Sequence, residues 1–232
     1  MTTTQSKPAK PLLRKLAAES FNKTNLWSSA LGQKLGWEWL IYNPLVIYSF
    51  ERAARRNAPK MADAVLAEFP AIRSIADIGC GGGGFAAEFQ KRGLRVVGCE
   101  YGEAGRNRAA KKGVEVHEFD LSKSQTPLPG SPFDLAISLE VGEHIPAELA
   151  SAFAGYLTCT SDLIVFTAAQ PGQGGHGHIN EQPCSYWIEK FAQLNFLEDA
   201  PACSRISASL RRADAFPYLI NNLLVFRRER PD

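Results

Sequence analysis

From Ser74 onward, short apolar runs alternate with helical stretches, and the first run, Ser74 to Ile78, passes straight into the glycine turn Gly79-Cys80-Gly81-Gly82-Gly83-Gly84 and an apolar helix. A run of this kind has no polar face to leave in water, so it must be covered by helices on both sides, which is the situation of a parallel strand in an α/β sheet. The spacing predicts strands near 74–78, 94–99, 114–118, 133–139, 162–167, 196–199 and 219–226, with helices starting after Gly83, Tyr101, Ile145 and Glu181. Gly93 and Gly113 stand where helix C-caps belong. The expected fold is α/β: a doubly wound, mostly parallel seven-stranded sheet with helices on both faces and an N-terminal helical extension.

That extension occupies residues 1–70, a polar tail followed by helical patterning, and residues 71–232 form the sheet domain. Asn43 and Pro44 suit an N-cap and first helical position, while Met61, Val65, Leu66 and Phe69 fall on one helix face. Trp27, Trp37 and Trp39 make the preceding stretch aromatic, as packing for this layer or as a lid over a substrate. With 232 residues, 45% of them hydrophobic, the chain suffices for one sizeable core. Its net charge of +2 supplies no field that implies a nucleic-acid partner. No apolar run reaches the roughly 20 residues that span a bilayer. Five cysteines, odd in number and without a CxxC pair, fit a reducing, cytoplasmic location.

Glycines at 79, 81 and 83 let a ligand lie against the main chain where the first strand ends. Glu100 ends the next strand about twenty residues on, where an acid can accept hydrogen bonds from ribose hydroxyls. The turn is spelled DxGxGxG, with Asp77 ahead of Gly79, Gly81 and Gly83, whereas a dinucleotide turn is GxGxxG facing a pyrophosphate. An acid there would repel pyrophosphate and suits a ligand carrying ammonium and sulfonium centres.

This segment resembles the first motif of the class I, Rossmann-like S-adenosylmethionine-dependent methyltransferases of small-molecule type, and the likeness runs through residues 74–168. The resemblance implies S-adenosylmethionine as cofactor, with Asp77 at its amino acid end, Gly79, Cys80, Gly81 and Gly83 along the backbone-facing side, and Glu100 with Tyr101 at the ribose. It implies Asp120 at the adenine amino group, with Phe119 or Leu121 beside the ring, and Leu139 and Glu140 bordering the methionine portion. The segment Glu140-Val-Gly-Glu-His-Ile-Pro146 resembles the post-strand segment of small-molecule members, opening toward the acceptor.

Methyl transfer from a sulfonium is an in-line displacement with a good leaving group, so alignment does most of the work. A hydroxyl or protonated amine acceptor must also lose a proton, which asks for a base. Of the four histidines, His144, His176 and His178 lie where an acceptor would be. His178 is expected as base or substrate ligand and His144 as its rival. Glu143 and Asn180 are the orienting groups, and His176 and Asn180 also line the acceptor site. His176 and His178 have a spacing that a metal could use, but no carboxylate set near them in sequence resembles a hard-cation site, so no metal is expected.

Two other enzymes and one non-enzyme compete with this reading. Tyr186 and Lys190 spell the YxxxK pair of short-chain dehydrogenases, but the glycine turn differs and Gln173 stands near that family's serine position. A nucleic-acid or protein methylase is the second rival, and Ser138-Leu-Glu-Val lacks the Pro-Pro-aromatic segment of DNA amino-methylases. A non-catalytic cofactor-binding module is the third. The acceptor favoured is a small molecule methylated on oxygen or nitrogen, such as a saccharide or natural-product intermediate.

Overall fold

The computed structural model describes residues 44–123 and 125–229. The N-terminal tail and Trp27, Trp37 and Trp39, with the expected N-cap Asn43, lie outside the described residues. Residues 175–177 group apart from the unit that carries every element below.

In chain order the elements are α1 (Pro44–Glu68), β1 (Ser74–Ile78), α2 (Gly84–Gln90), β2 (Arg95–Glu100), α3 (Glu103–Lys111), β3 (Glu115–Glu118), β4 (Leu135–Leu139), α4 (Ala150–Thr160), β5 (Leu163–Thr167), α5 (Cys184–Ala192), β6 (Phe196–Glu198), α6 (Ala200–Arg212), α7 (Pro217–Asn221) and β7 (Leu224–Arg228). Two single 3-10 turns, Gly142–His144 and Ala147–Leu149, separate β4 from α4. The seven strands form one sheet in the order β3-β2-β1-β4-β5-β7-β6. Strands β1 to β5 pair in parallel, and β7 alone runs against its two neighbours. This is the doubly wound, mostly parallel sheet that the apolar runs predict.

The period-two alternation of the strands sorts their side chains into two buried layers. Ile75, Val96, Leu135, Ile137, Val165 and Val225 face Met61, Val65, Phe89, Ile206 and Leu210 of α1, α2 and α6. Ala76, Val97, Ala136, Ile164, Phe166 and Phe226 face Phe153, Leu157, Trp187 and Phe191 of α4 and α5. At about 25 cal/mol per Å2 of apolar surface removed from water, each large side chain so buried contributes roughly 1.5–3 kcal/mol.

Two expectations need correction. The apolar stretch 219–226 is not one strand: Pro217 opens α7, which carries Leu219 into the core, and β7 begins only at Leu224. Leu219 and Ile220 before Asn221-Asn222, and Leu223 to Phe226 after them, are equally apolar, which masks this break in the sequence. Helix α6 has no counterpart in the sequence reading, although Asp199 caps it by accepting the Ala202 N–H at 3.0 Å and Pro201 lies in its first turn. Helix starts after Gly83, Tyr101, Ile145 and Glu181 agree within a few residues, and Gly93 and Gly113 adopt left-handed φ of 84° and 79° behind α2 and α3.

Candidate active site

All the expected ligand-binding side chains of the sheet unit hang from the carboxyl ends of β1 to β5, because parallel strands end on the same edge. Asp77 is paired with Gly98 of β2 and Ile137 of β4, so it sits in mid-sheet, one residue short of the turn. It is 3% exposed, and its Oδ2 has no hydrogen-bond partner. Burial pushes its carboxyl up to about 7; the Ala86 amide holds it down in part, and the Glu100 charge adds to the rise. A buried acid with an orphaned oxygen is suited to a cationic ligand.

The turn after β1 is built around Glu100. One carboxylate oxygen accepts the Gly81 N–H and the other accepts the Gly102 N–H, both at 2.8 Å. Gly81 has φ 53°, and a Cβ built on it would meet nothing within 4 Å, so the turn presents an open main-chain face there. At Gly83, with φ 71°, a Cβ would lie 2.9 Å from Ala109, so this glycine closes the turn onto α3. Burial pushes the Glu100 carboxyl up, while the Gly102 and Gly81 amides counter it. Tyr101 is exposed next to it. Cys80 is buried beneath the turn, and burial raises its thiol well above the ordinary range, which suits packing rather than reaction.

Beyond β3, Asp120 accepts from the Ser122 N–H at 3.0 Å and the Ser122 hydroxyl at 2.5 Å, and pairs with Lys123 at 2.9 Å. These bonds, the Ser122 hydroxyl first, hold its carboxyl below the usual range. A cleft of about 420 Å3 opens beside it, walled by Phe119, Leu128 and Tyr156. Phe119 and Leu121 are themselves buried, Phe119 with its ring 4.9 Å from that of Tyr156.

A second group gathers after β4. Glu140 has a left-handed φ of 56°, its N–H bonded to Thr167 of β5, and its carboxylate accepts from Gln173 at 2.8 Å and Asn222 at 3.1 Å. A non-glycine residue in this conformation at a strand end is strained in the way functional sites tolerate. In the turn Gly142–His144, a Cβ on Gly142 would lie 2.7 Å from the Trp187 ring, which explains glycine there. The Glu143 carbonyl accepts from the Ile179 N–H at 2.9 Å and the Asn180 N–H at 3.0 Å, fastening the loop after β5 to this turn. His178 is thereby brought to Glu143, Nε2 to Oε1 at 3.8 Å, and its ring meets that of His144 edge to face at 5.1 Å. Glu143 is fully buried with neither oxygen in a well-formed hydrogen bond; burial first, then the Glu140 charge, push its carboxyl well above the ordinary range, while the Glu143 and Ala169 amides counter it in part.

A family model described as a methyltransferase domain matches residues 76–159, the stretch that carries Asp77, Glu100, Asp120 and Glu143. Over residues 76–159 the chain is similar to a methyltransferase domain, and its fold is that of solved S-adenosylmethionine-dependent methyltransferases. Among curated relatives, a ubiquinone biosynthesis O-methyltransferase of Ruegeria sp. is 30% identical over 146 residues, 61% of this chain and 51% of the relative. The namesake from Dinoroseobacter shibae is 35% identical over 94 residues, 39% and 36% of the two chains. The match therefore spans about half or less of these relatives. Among solved structures, magnesium protoporphyrin IX methyltransferase from Synechocystis with bound SAH aligns over 85% of this chain and 100% of its own, with TM-score 0.60 and 15% identity. CalS10, an amino pentose methyltransferase from Micromonospora echinaspora, aligns over 81% and 98% with TM-score 0.58 and 16% identity. At such identities the likeness is one of fold.

Within the methyltransferase domain, Asp77, the glycine turn, Glu100 and Tyr101 form one continuous rim, Leu139 and Glu140 border it from β4, and Asp120 sits at the β3 end. Asn180 is buried with its Oδ1 accepting from Gln182 at 3.0 Å, and His176 falls in the separate segment 175–177. Glu181 is the residue that sequence reasoning missed. It accepts from the His178 Nδ1 at 2.7 Å, the Gly172 N–H at 2.9 Å and the Gly174 N–H at 2.7 Å. Only loop closure reveals it, as it does Asn222, which reaches Glu140 from the far end of the chain. The YxxxK pair is accounted for by packing: Lys190 lies 4.8 Å over the Tyr186 ring and bonds the Ser151 hydroxyl at 3.0 Å. Among the described residues, no helix is long and apolar enough to cross a membrane.

Proposed function

We propose that this chain transfers a methyl group from S-adenosylmethionine to an oxygen or nitrogen of a small molecule that enters beside Glu140, Glu143, His144 and His178. The observation that carries the reading is the pairing of an orphaned, buried acid, Asp77, with a turn whose main chain is open at Gly81 and braced by Glu100. These residues fit the cofactor: Asp77 would face the ammonium end, the turn would lie along its length, and Glu100 keeps lone pairs for ribose hydroxyls. Asp120 and its cleft would take the adenine end. When bound, the cofactor supplies an electrophilic methyl on a sulfonium. The chain's part is alignment, exclusion of water and handling of the acceptor's proton.

His178 stands as base or ligand on the acceptor side, with Nδ1 committed to Glu181 and Nε2 turned toward Glu143. Glu140, held by Gln173 and Asn222, sits between the two groups of residues. The names of the curated relatives, all O-methyltransferases, support oxygen over nitrogen as the acceptor atom. The test is incubation with methyl-labelled cofactor and a host metabolite extract, followed by mass spectrometry. A labelled small molecule is expected; label confined to protein or nucleic acid, or none transferred, contradicts the reading.

A further inference from the structure

We infer that Glu143, His144 and His178 form a binding site for a divalent cation of the borderline transition class, such as Zn2+ or Fe2+. The inference deepens the proposed function and rests on it for the acceptor's place. One ligating atom from each of the three lies within 4.8 Å of the others, near enough for a modest rotation of the side chains to bring them round one ion. They come from two loops that the Glu143 carbonyl holds together through the Ile179 and Asn180 amides.

Three further observations point to an ion rather than to a chance cluster. Glu143 is 0% exposed and neither oxygen has a well-formed hydrogen bond, the Glu143 and Ala169 amides holding it only weakly, an arrangement that a buried carboxylate tolerates poorly unless a cation meets it. The Glu143 Oε1 to His178 Nε2 separation of 3.8 Å is too long for a hydrogen bond. It suits two ligands of one ion, since bonds of about 2.0–2.2 Å place ligand atoms roughly 3–4 Å apart. His178 also donates its Nδ1 to Glu181 at 2.7 Å, and Glu181 is itself fixed by the Gly172 and Gly174 amides. That is the carboxylate–histidine support by which a metal-binding imidazole is oriented, and it leaves Nε2 as the ligating nitrogen.

Two imidazoles and a carboxylate favour Zn2+ or Fe2+ over Mg2+ and Ca2+, which prefer oxygen alone. Glu140, strained at φ 56° and close enough to repel Glu143, supplies a second carboxylate whose charge an ion would offset. A cation there would draw a hydroxyl acceptor to the same face and ease loss of its proton, leaving the His178 ring as ligand rather than base. Sequence reasoning missed the site because Glu143 and His144 are distant along the chain from His178.

The test uses the full chain, dialysed against a chelator and titrated with Co2+ followed by visible absorption, and with Zn2+ by calorimetry. One saturable site per chain is expected, weakened about 100-fold or more by His178→Ala or Glu143→Gln and roughly tenfold by Glu181→Ala, the range seen for supporting groups. The half-buried His117 of β3, apart from the cluster, is expected to bind as the parent does when replaced by Ala. S-adenosylhomocysteine binding is measured on every sample, both as a check of folding and to separate the two proposals. Protein that binds this nucleoside but shows no saturable Co2+ or Zn2+ site overturns the cation site and leaves the methyltransferase reading intact. Protein that binds the ion and not the nucleoside does the reverse. If Glu143→Gln fails to fold, His178→Ala decides, and parental ion affinity in that variant overturns the assignment.

Discussion

Glu100 accepts the Gly81 N–H at 2.8 Å, so the acid that ends β2 and the glycine turn that follows β1 are one structural unit. Replacing Glu100 by Ala therefore removes the proposed ribose ligand and frees the Gly81 and Gly102 amides together. Cofactor binding is expected to weaken by about 1.5–3 kcal/mol, the range for hydrogen bonds to a charged group. A lower melting temperature should accompany it, by about 2–4 °C per kcal/mol lost. Calorimetry and thermal unfolding on one preparation check both; parental cofactor affinity would remove Glu100 from the ribose site.

Asp77 predicts a pH dependence with a definite sign. Its folded pKa of about 7 lies above the ordinary carboxylate value, so the folded chain holds this proton more tightly than the unfolded one. Stability from this group is present at low pH and falls as pH rises through the interval from about 4 to about 7, by on the order of 3–4 kcal/mol in all. Asp77→Asn should flatten that part of the stability curve, leaving the variant more stable than the parent above pH 7 in the absence of ligand. Cofactor affinity should move oppositely, strengthening as pH rises toward 7 in the parent, where the ionised acid meets the ammonium group, and staying weak and flat in the variant. Denaturant unfolding and calorimetry between pH 5 and 9 check the pair of slopes.

His178→Ala should leave cofactor affinity close to that of the parent, since the residue belongs to the loop after β5 and not to the glycine turn. The methylation rate should fall roughly a hundredfold or more. Single-turnover kinetics with saturating cofactor check this, and a parental rate would remove His178 from the acceptor's surroundings.

Gly142→Ala should destabilise the protein without adding or removing any polar group. The new Cβ would sit 2.7 Å from the Trp187 ring, which is buried between Phe153 and Phe166 and has little room to yield. Overpacking of this kind costs about 1–3 kcal/mol. Any relief must lift the Gly142–His144 turn, so the methylation rate should drop along with the melting temperature; thermal unfolding with activity measured on the same sample tests both.

The sheet was legible in the sequence because parallel strands are apolar on both faces, so β1, β2, β4 and β5 stand out as short apolar runs between helical stretches. The β7 end was not, since Leu219 and Val225 are both core residues and only the backbone distinguishes the helix of one from the strand of the other. That these residues gather on one rim, the proposed cofactor site, was legible for a local reason: Asp77, Gly81 and Gly83 are neighbours in the chain, and Glu100 is one strand away. The acceptor side was only half legible. His144, His178 and Glu143 could be named as candidates, but Glu181 and Asn222 act through loop closure and long-range contact, for which no local pattern exists.

The most direct measurement for the account is calorimetric titration of the purified chain with S-adenosylmethionine, S-adenosylhomocysteine and NAD in parallel. Saturable binding of both sulfur compounds with none of NAD is the predicted result. Binding of NAD with no response to either sulfur compound would contradict it.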